Sequence, residues 1–171
     1  MTSKTATLPR PREAARIAAP ADKPKRSFAR DDAAGRAKEP ALRPRILIVE
    51  DDFLVAADVE AALLDAGFEV VGIAETADGA LAAVAAEKPS LVLMDIRLAG
   101  ARDGIEAAID IYRKHGIRCL FASAHSDALA RGRAQPAQPL GWLQKPYSMG
   151  RLVEAVSRAL SDLSDESPRG N

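Results

Sequence analysis

The sequence predicts an α/β fold: a five-stranded parallel sheet in the order 2-1-3-4-5, flanked by five helices. Three observations lead there. From Arg45 onward, short aliphatic runs alternate with stretches of helical periodicity. The runs are unbroken rather than apolar-polar alternations, the pattern of strands buried on both faces. Five strand-helix pairs fit between Arg45 and Leu163, and right-handed crossovers at this size favour that order.

"RILIVE" (45–50) reads as the first strand. "FLVAADVEAALLDAG" (53–67) is an amphipathic helix with Gly67 just past its end. "EVVGIA" (69–74) is the second strand, and "DGALAAVAAEK" (78–88) a helix stopped by Pro89. "SLVLMD" (90–95) is the third strand. In "DGIEAAIDIYRKHG" (103–116), Asp103 and Glu106 stand three apart as in a capping box, and Gly116 stops the helix. "IRCLFAS" (117–123) is the fourth strand. "SDALARGRA" (126–134) gives only a short helix, because Pro136 and Pro139 bar its continuation. "GWLQ" (141–144) is the fifth strand. "SMGRLVEAVSRALSDL" (148–163) is the fifth helix, with Ser148 at its N-cap.

Composition sets the outer bounds. Aromatics are only 4% of residues, so the core must be mostly Ala, Val, Leu and Ile. Cys119 is the single cysteine, which excludes an internal disulfide and any multi-cysteine metal site. It lies in an apolar run and reads as a buried, inert thiol. No apolar run approaches the ~18 residues of a membrane span, and no secretory h-region opens the chain. A cytoplasmic location is the expectation.

The net charge of zero hides an asymmetry. Residues 1–44 carry 11 Lys/Arg against 5 Asp/Glu, whereas residues 45–171 carry 13 against 19. Residues 1–44 also hold six of the eleven prolines and few large apolar side chains. They read as a disordered basic tail, too poor in apolar surface to offset its ordering entropy. A solvated tail is the plain reading; a basic arm for nucleic acid, anionic lipid or the acidic domain is the other. Residues 45–163 form the folded domain, and 164–171 a short polar tail. No DNA-binding module is expected in the residues that follow.

Ligands of such sheets sit beyond the carboxyl ends of the strands, where strands 1 and 3 diverge. Strand 1 ends in Glu50-Asp51-Asp52, strand 3 in Asp95, strand 4 in Ser123, and strand 5 runs into Lys145. Crowded carboxylates repel: at ~5 Å and an effective dielectric of ~20, each pair costs roughly 3 kcal/mol. A hard divalent cation, Mg²⁺, would offset that cost with few carboxylates and several waters. A lysine and a hydroxyl opposite it suit a tetrahedral phosphoryl group.

"ILIVEDD", "LVLMDIRL", "FASAHS" and "LQKPYS", in that order, resemble the receiver domain of bacterial two-component response regulators, a flavodoxin-like fold. The resemblance covers about residues 45–160. It implies that Asp95 accepts a phosphoryl group from the phosphohistidine of a sensor histidine kinase or a histidine phosphotransfer protein. It implies Mg²⁺ held by Asp51, by Glu50 mainly through water, by Asp95 and by the backbone carbonyl of Arg97. Asp52 would add field or weak metal contact. Lys145 and Ser123 would contact the phosphoryl group, Lys145 would pair with Asp95 before transfer, and Ala124 would leave the site open. Ser123 and Trp142 would form the switch, although the family usually carries Tyr or Phe at the latter position. Arg97 and His125 would border the phosphoryl group and modulate its hydrolysis. The family usually has a cis peptide at the position of Lys145-Pro146.

The function implied is that of a single-domain response regulator in a phosphorelay, switching a protein-binding surface toward a downstream partner. A phosphate sink or shuttle is the alternative within the family. A degenerate receiver that only binds is another class. A Mg²⁺-dependent Asp-nucleophile phosphohydrolase would need Asp-x-Asp on strand 1. The protein is not expected to be an enzyme beyond its own phosphorylation and dephosphorylation.

Overall fold

The computed structural model describes residues 43–124 and 128–166. Nearly all of the predicted basic tail therefore lies outside the described residues, as does His125. The strands are β1 (Arg45–Val49), β2 (Glu69–Ala74), β3 (Leu91–Met94), β4 (Cys119–Ser123) and β5 (Gly141–Gln144). The helices are α1 (Phe53–Asp65), α2 (Ala77–Glu87), α3 (Gly104–His115), α4 (Ala128–Ala134) and α5 (Met149–Glu166). All strand pairs are parallel, and the order is β2-β1-β3-β4-β5, as predicted.

The period-2 alternation of strand side chains builds two cores. Ile46 and Ile48 of β1, Leu91 and Leu93 of β3, and Leu120 and Ala122 of β4 face α1 and α5, meeting Val59, Leu63, Leu152 and Val156. The intervening Leu47, Val49, Val92, Met94, Cys119 and Phe121 face α2 and α3, meeting Ala80, Val84, Ala108 and Ile111. Alanine-rich helix faces let the helices approach the sheet without aromatic filler.

Helix ends obey local chemistry. Thr76 caps α2 through Gly79 N–H, and Asp103 with Glu106 completes the predicted capping box on α3. Gly116 ends α3 in the left-handed region at φ 69°. The Ser148 hydroxyl accepts from Arg151 N–H at 3.3 Å. After α4 the chain makes one 3-10 turn, Gln135–Ala137, around Pro136.

Helix α5 runs on to Glu166, past the end expected at Leu163. The polar residues there are recruited by contacts: Ser164 Oγ donates to Leu160 O at 3.0 Å, and Glu166 pairs with Arg118. Among the described residues no helix is long and apolar enough to cross a membrane.

Cys119 is fully buried, and burial pushes its thiol up to about 12. Because the thiolate is the reactive form, thiol reagents should leave the native protein unmodified. Titration with a chromogenic disulfide should count no thiol in buffer and one thiol in denaturant.

Candidate functional site

Three polar side chains are buried among the described residues: Glu50, Asp95 and Ser123. They stand at the ends of β1, β3 and β4, on adjoining strands of one sheet edge. Each sits where the strand stops, so its backbone is still held by a ladder partner. Glu50 N–H donates to Ala74 O at 2.9 Å, and Asp95 N–H donates to Val49 O at 2.9 Å. Lys145 N–H donates to Ser123 O at 3.1 Å, which brings the β5 end alongside β4. The Lys145-Pro146 peptide just beyond is cis.

Lys145 reaches across the edge. Its Nζ lies 2.6 Å from Glu50 Oε2 and 2.6 Å from Asp95 Oδ2. The other Asp95 oxygen, Oδ1, accepts from Arg97 N–H at 3.2 Å. No buried side-chain nitrogen or oxygen among the described residues lacks a partner. The positive charge that offsets the crowded acids is thus supplied, within the protein, by Lys145.

Burial and this contact set the electrostatics. Burial lifts the Glu50 carboxyl above its ordinary value, against the pull of the Lys145 hydrogen bond and charge. Burial works against the Lys145 ammonium, yet hydrogen bonds and charges from Asp95 and Glu50 together hold it above its ordinary value. Tyr147 is half-buried next to them, and burial pushes its hydroxyl up. An open hollow of about 270 Å³ adjoins Lys145, lined by Val55, Asp58, Pro146, Tyr147 and Met149.

The three consecutive acids divide by position. Glu50 points in, while Asp51 is exposed at the rim. Asp52 has a structural task that the sequence reading did not give it. Its Oδ1 accepts from Leu54 N–H at 2.9 Å and Val55 N–H at 3.2 Å, so it is the N-cap of α1. An extended residue directly before a helix is placed to satisfy those unpaired N–H groups. Asp52→Ala should cost about 1 kcal/mol of stability, and Asp52→Asn much less. Denaturant unfolding checks this.

Glu50, Asp51 and Asp95 are hard oxygen donors, and Mg²⁺ asks for only one or two carboxylates, with water for the rest. The donor chemistry fits. It does not amount to a closed cage: no three Asp, Glu, His or Cys side chains among the described residues group tightly enough to hold a metal alone.

Ser123 is buried at 1% exposure, and Ala124 is exposed beside it. Trp142 pairs with Phe121 in the β4–β5 register and stacks on it, with ring centroids 4.6 Å apart. The Arg131 guanidinium of α4 lies 5.5 Å from the Trp142 ring centre, within cation–π range. Arg97 is exposed on the β3–α3 loop. That loop is tied down by Arg102 to Asp78 and Asp110, and by Arg133 of α4 to Asp103 at 2.6 Å.

Sequence reading missed the Arg131–Trp142 contact and the cap at Asp52.

A doubly wound sheet whose buried acids meet a lysine at the switch point defines a recognisable class of α/β domain. The family model "Response regulator receiver domain" matches residues 46–157, and the chain belongs to that family. It is 37% identical over 123 residues to the transcriptional regulatory protein PdtaR of Mycobacterium tuberculosis, covering 71% of this chain and 58% of that one. It is 31% identical over 130 residues to the phyllosphere-induced regulator PhyR of Methylorubrum extorquens, covering 75% and 48%. The chain thus spans about half the length of these curated relatives. Among solved structures, the signal receiver domain of a modulated diguanylate cyclase from Desulfovibrio desulfuricans G20 matches with TM-score 0.67 and 30% identity. That match covers 73% of this chain and 99% of the other. The PhyR receiver domain of Erythrobacter litoralis matches with TM-score 0.65 and 32% identity, covering 75% and 97%.

Proposed function

We propose that this protein takes a phosphoryl group onto Asp95 from the phosphohistidine of a sensor kinase or phosphotransfer protein, and so passes a signal in a phosphorelay. The observation that carries the reading is the buried Asp95 carboxylate held 2.6 Å from Lys145 Nζ, on the edge it shares with Glu50 and Ser123.

An Asp95 carboxylate oxygen forms the new P–O bond. The P–N bond of the donor phosphohistidine breaks, its electron pair returns to the imidazole, and that nitrogen takes a proton from solvent. Phosphoryl transfer asks for positioning and charge neutralisation more than covalent work. Lys145 neutralises charge on the phosphoryl oxygens, and the Ser123 hydroxyl donates a hydrogen bond to one of them. Mg²⁺, held by Asp51, by Glu50 through water, by Asp95 and by the Arg97 carbonyl, would supply further neutralisation and orientation. Ala124 presents no side chain large enough to bar the donor.

Ser123 drawn toward the phosphoryl group, with Trp142 moving after it, would change the surface formed by α4, β5 and α5. A downstream protein would read that change; a sink or shuttle role would use the same chemistry without one. Arg97 and His125 would set the lifetime of the phosphoryl group. The basic segment 1–44 is dispensable for phosphorylation in this account. Cytoplasmic action is implied by the partners proposed.

The test is incubation with Mg²⁺ and a small acyl phosphate. One base-labile phosphoryl group per chain, seen as an intact-mass gain, supports the proposal. No gain would make this a binding-only module, and repeated release of phosphate from an added ester would make it a phosphohydrolase.

A further inference from the structure

The first residue of α3 touches the proposed acceptor from behind. A side-chain carbon built on Gly104 would overlap the Asp95 carbonyl oxygen, lie 2.9 Å from the Asp95 carbonyl carbon and lie 3.1 Å from Met94 Cγ. Carbon atoms of side chains do not pack that closely on backbone. Other glycines contrast: at Gly150, the same addition meets nothing within 4 Å.

The obstacle at Gly104 is backbone, with little freedom to yield. Asp95 N–H is bonded to Val49 O of the neighbouring strand, and Gly104 N–H donates to Ile96 O at 2.8 Å. The capping box at Asp103 and Glu106 holds the helix start in register, and Arg133 holds Asp103. Asp95 is therefore clamped between β1 on one side and the α3 start on the other. Where its backbone lies decides where its carboxylate emerges toward Lys145.

We propose that Gly104 is a positioning residue for Asp95: its bare backbone seats α3 against the Asp95 peptide and so sets the acceptor oxygen at its reach from Lys145. The consequence for phosphorylation rests on the function proposed above, while the positioning itself does not. A methyl group at 104 must displace either the helix start or the Asp95 peptide. A misplacement of ~1 Å in a reacting group costs about a hundredfold in rate.

Gly104→Ala and, as control, Gly150→Ala are compared with the full chain. With an acyl phosphate and Mg²⁺, Gly104→Ala should label about a hundredfold more slowly at saturating donor. The half-saturating donor concentration should not move, and far-UV circular dichroism should stay native. Gly150→Ala should label like the parent. Equal rates for Gly104→Ala and the parent would overturn the proposal.

A readout free of phosphodonor separates the two claims. The ¹³C signal of the Asp95 carboxyl should shift in Gly104→Ala and stay in Gly150→Ala; an unmoved signal overturns the positioning role. A parent chain that takes no phosphoryl group would sink the proposed function and leave this readout to judge Gly104. Should Gly104→Ala not fold, amide exchange on the parent decides. Slow exchange of Gly104 N–H supports the clamp, and exchange at the free-loop rate refutes it.

Discussion

Asp95→Asn abolishes phosphoryl incorporation while leaving the protein folded. The carboxamide has nearly the shape of the carboxylate but no anionic oxygen to attack phosphorus. Its carbonyl can still accept one hydrogen bond where Asp95 now accepts from both Lys145 and Arg97 N–H. Loss of one such bond costs about 1 kcal/mol, which a small domain tolerates. Intact-mass spectrometry after exposure to acyl phosphate and Mg²⁺ should show no labelled species for Asp95→Asn. Asp51→Asn, which keeps the acceptor, should still label, only more slowly.

Lys145→Met has the largest expected effect on stability. The ammonium stands between Glu50 and Asp95, whose side chains are 8% and 10% exposed. Removing it leaves two carboxylates facing each other in a mostly dry site. Breaking a buried pair in this way costs about 3–5 kcal/mol, and the partial exposure of Lys145 lowers that to about 2–4 kcal/mol. Phosphorylation should be lost along with it.

The pH dependence of that loss has a definite sign. Lys145 is held above its ordinary value, so its contribution is full below that value and disappears as pH rises through the raised one. Glu50 is also raised, by burial, so its protonated form favours the fold and that gain disappears as pH rises through its raised value. In Lys145→Met, protonating one of the two carboxylates relieves their repulsion. The gap between parent and variant should therefore be widest near neutral pH. It should narrow as pH falls through the carboxylate range, and narrow again in strong alkali. Denaturant midpoints across a pH series measure it; a gap flat with pH would contradict the assigned contacts.

Much of this architecture is legible in the amino-acid sequence. Strands β2 and β5 match the predicted "EVVGIA" and "GWLQ" residue for residue, because turn residues bracket short apolar runs. The strand ends are legible too: Glu50, Asp95, Ser123 and Lys145 converge because parallel strands all finish at one edge. The directions of the three acids in a row come from the fold. Chain direction and the first helical turn sort them into an inward Glu50, an outward Asp51 and a capping Asp52.

Contacts across the fold account for the remaining differences. The end of α5 is set by Arg118 on the approach to β4, and nothing local in "SDE" marks it. Trp142 is an ambiguous aromatic in sequence; the β4–β5 register lays it on Phe121. The Lys145 ammonium reaches Glu50 from 95 positions along the chain, a contact that only the closed sheet brings together.

The most direct test is to map the phosphoryl group. The protein is phosphorylated with an acyl phosphate and Mg²⁺, reduced with borohydride to trap the aspartyl phosphate, digested and sequenced by mass spectrometry. A single reduced position, residue 95, is expected. A reduced product at Asp51 or Asp52, or none in a folded and Mg²⁺-supplied sample, would contradict it.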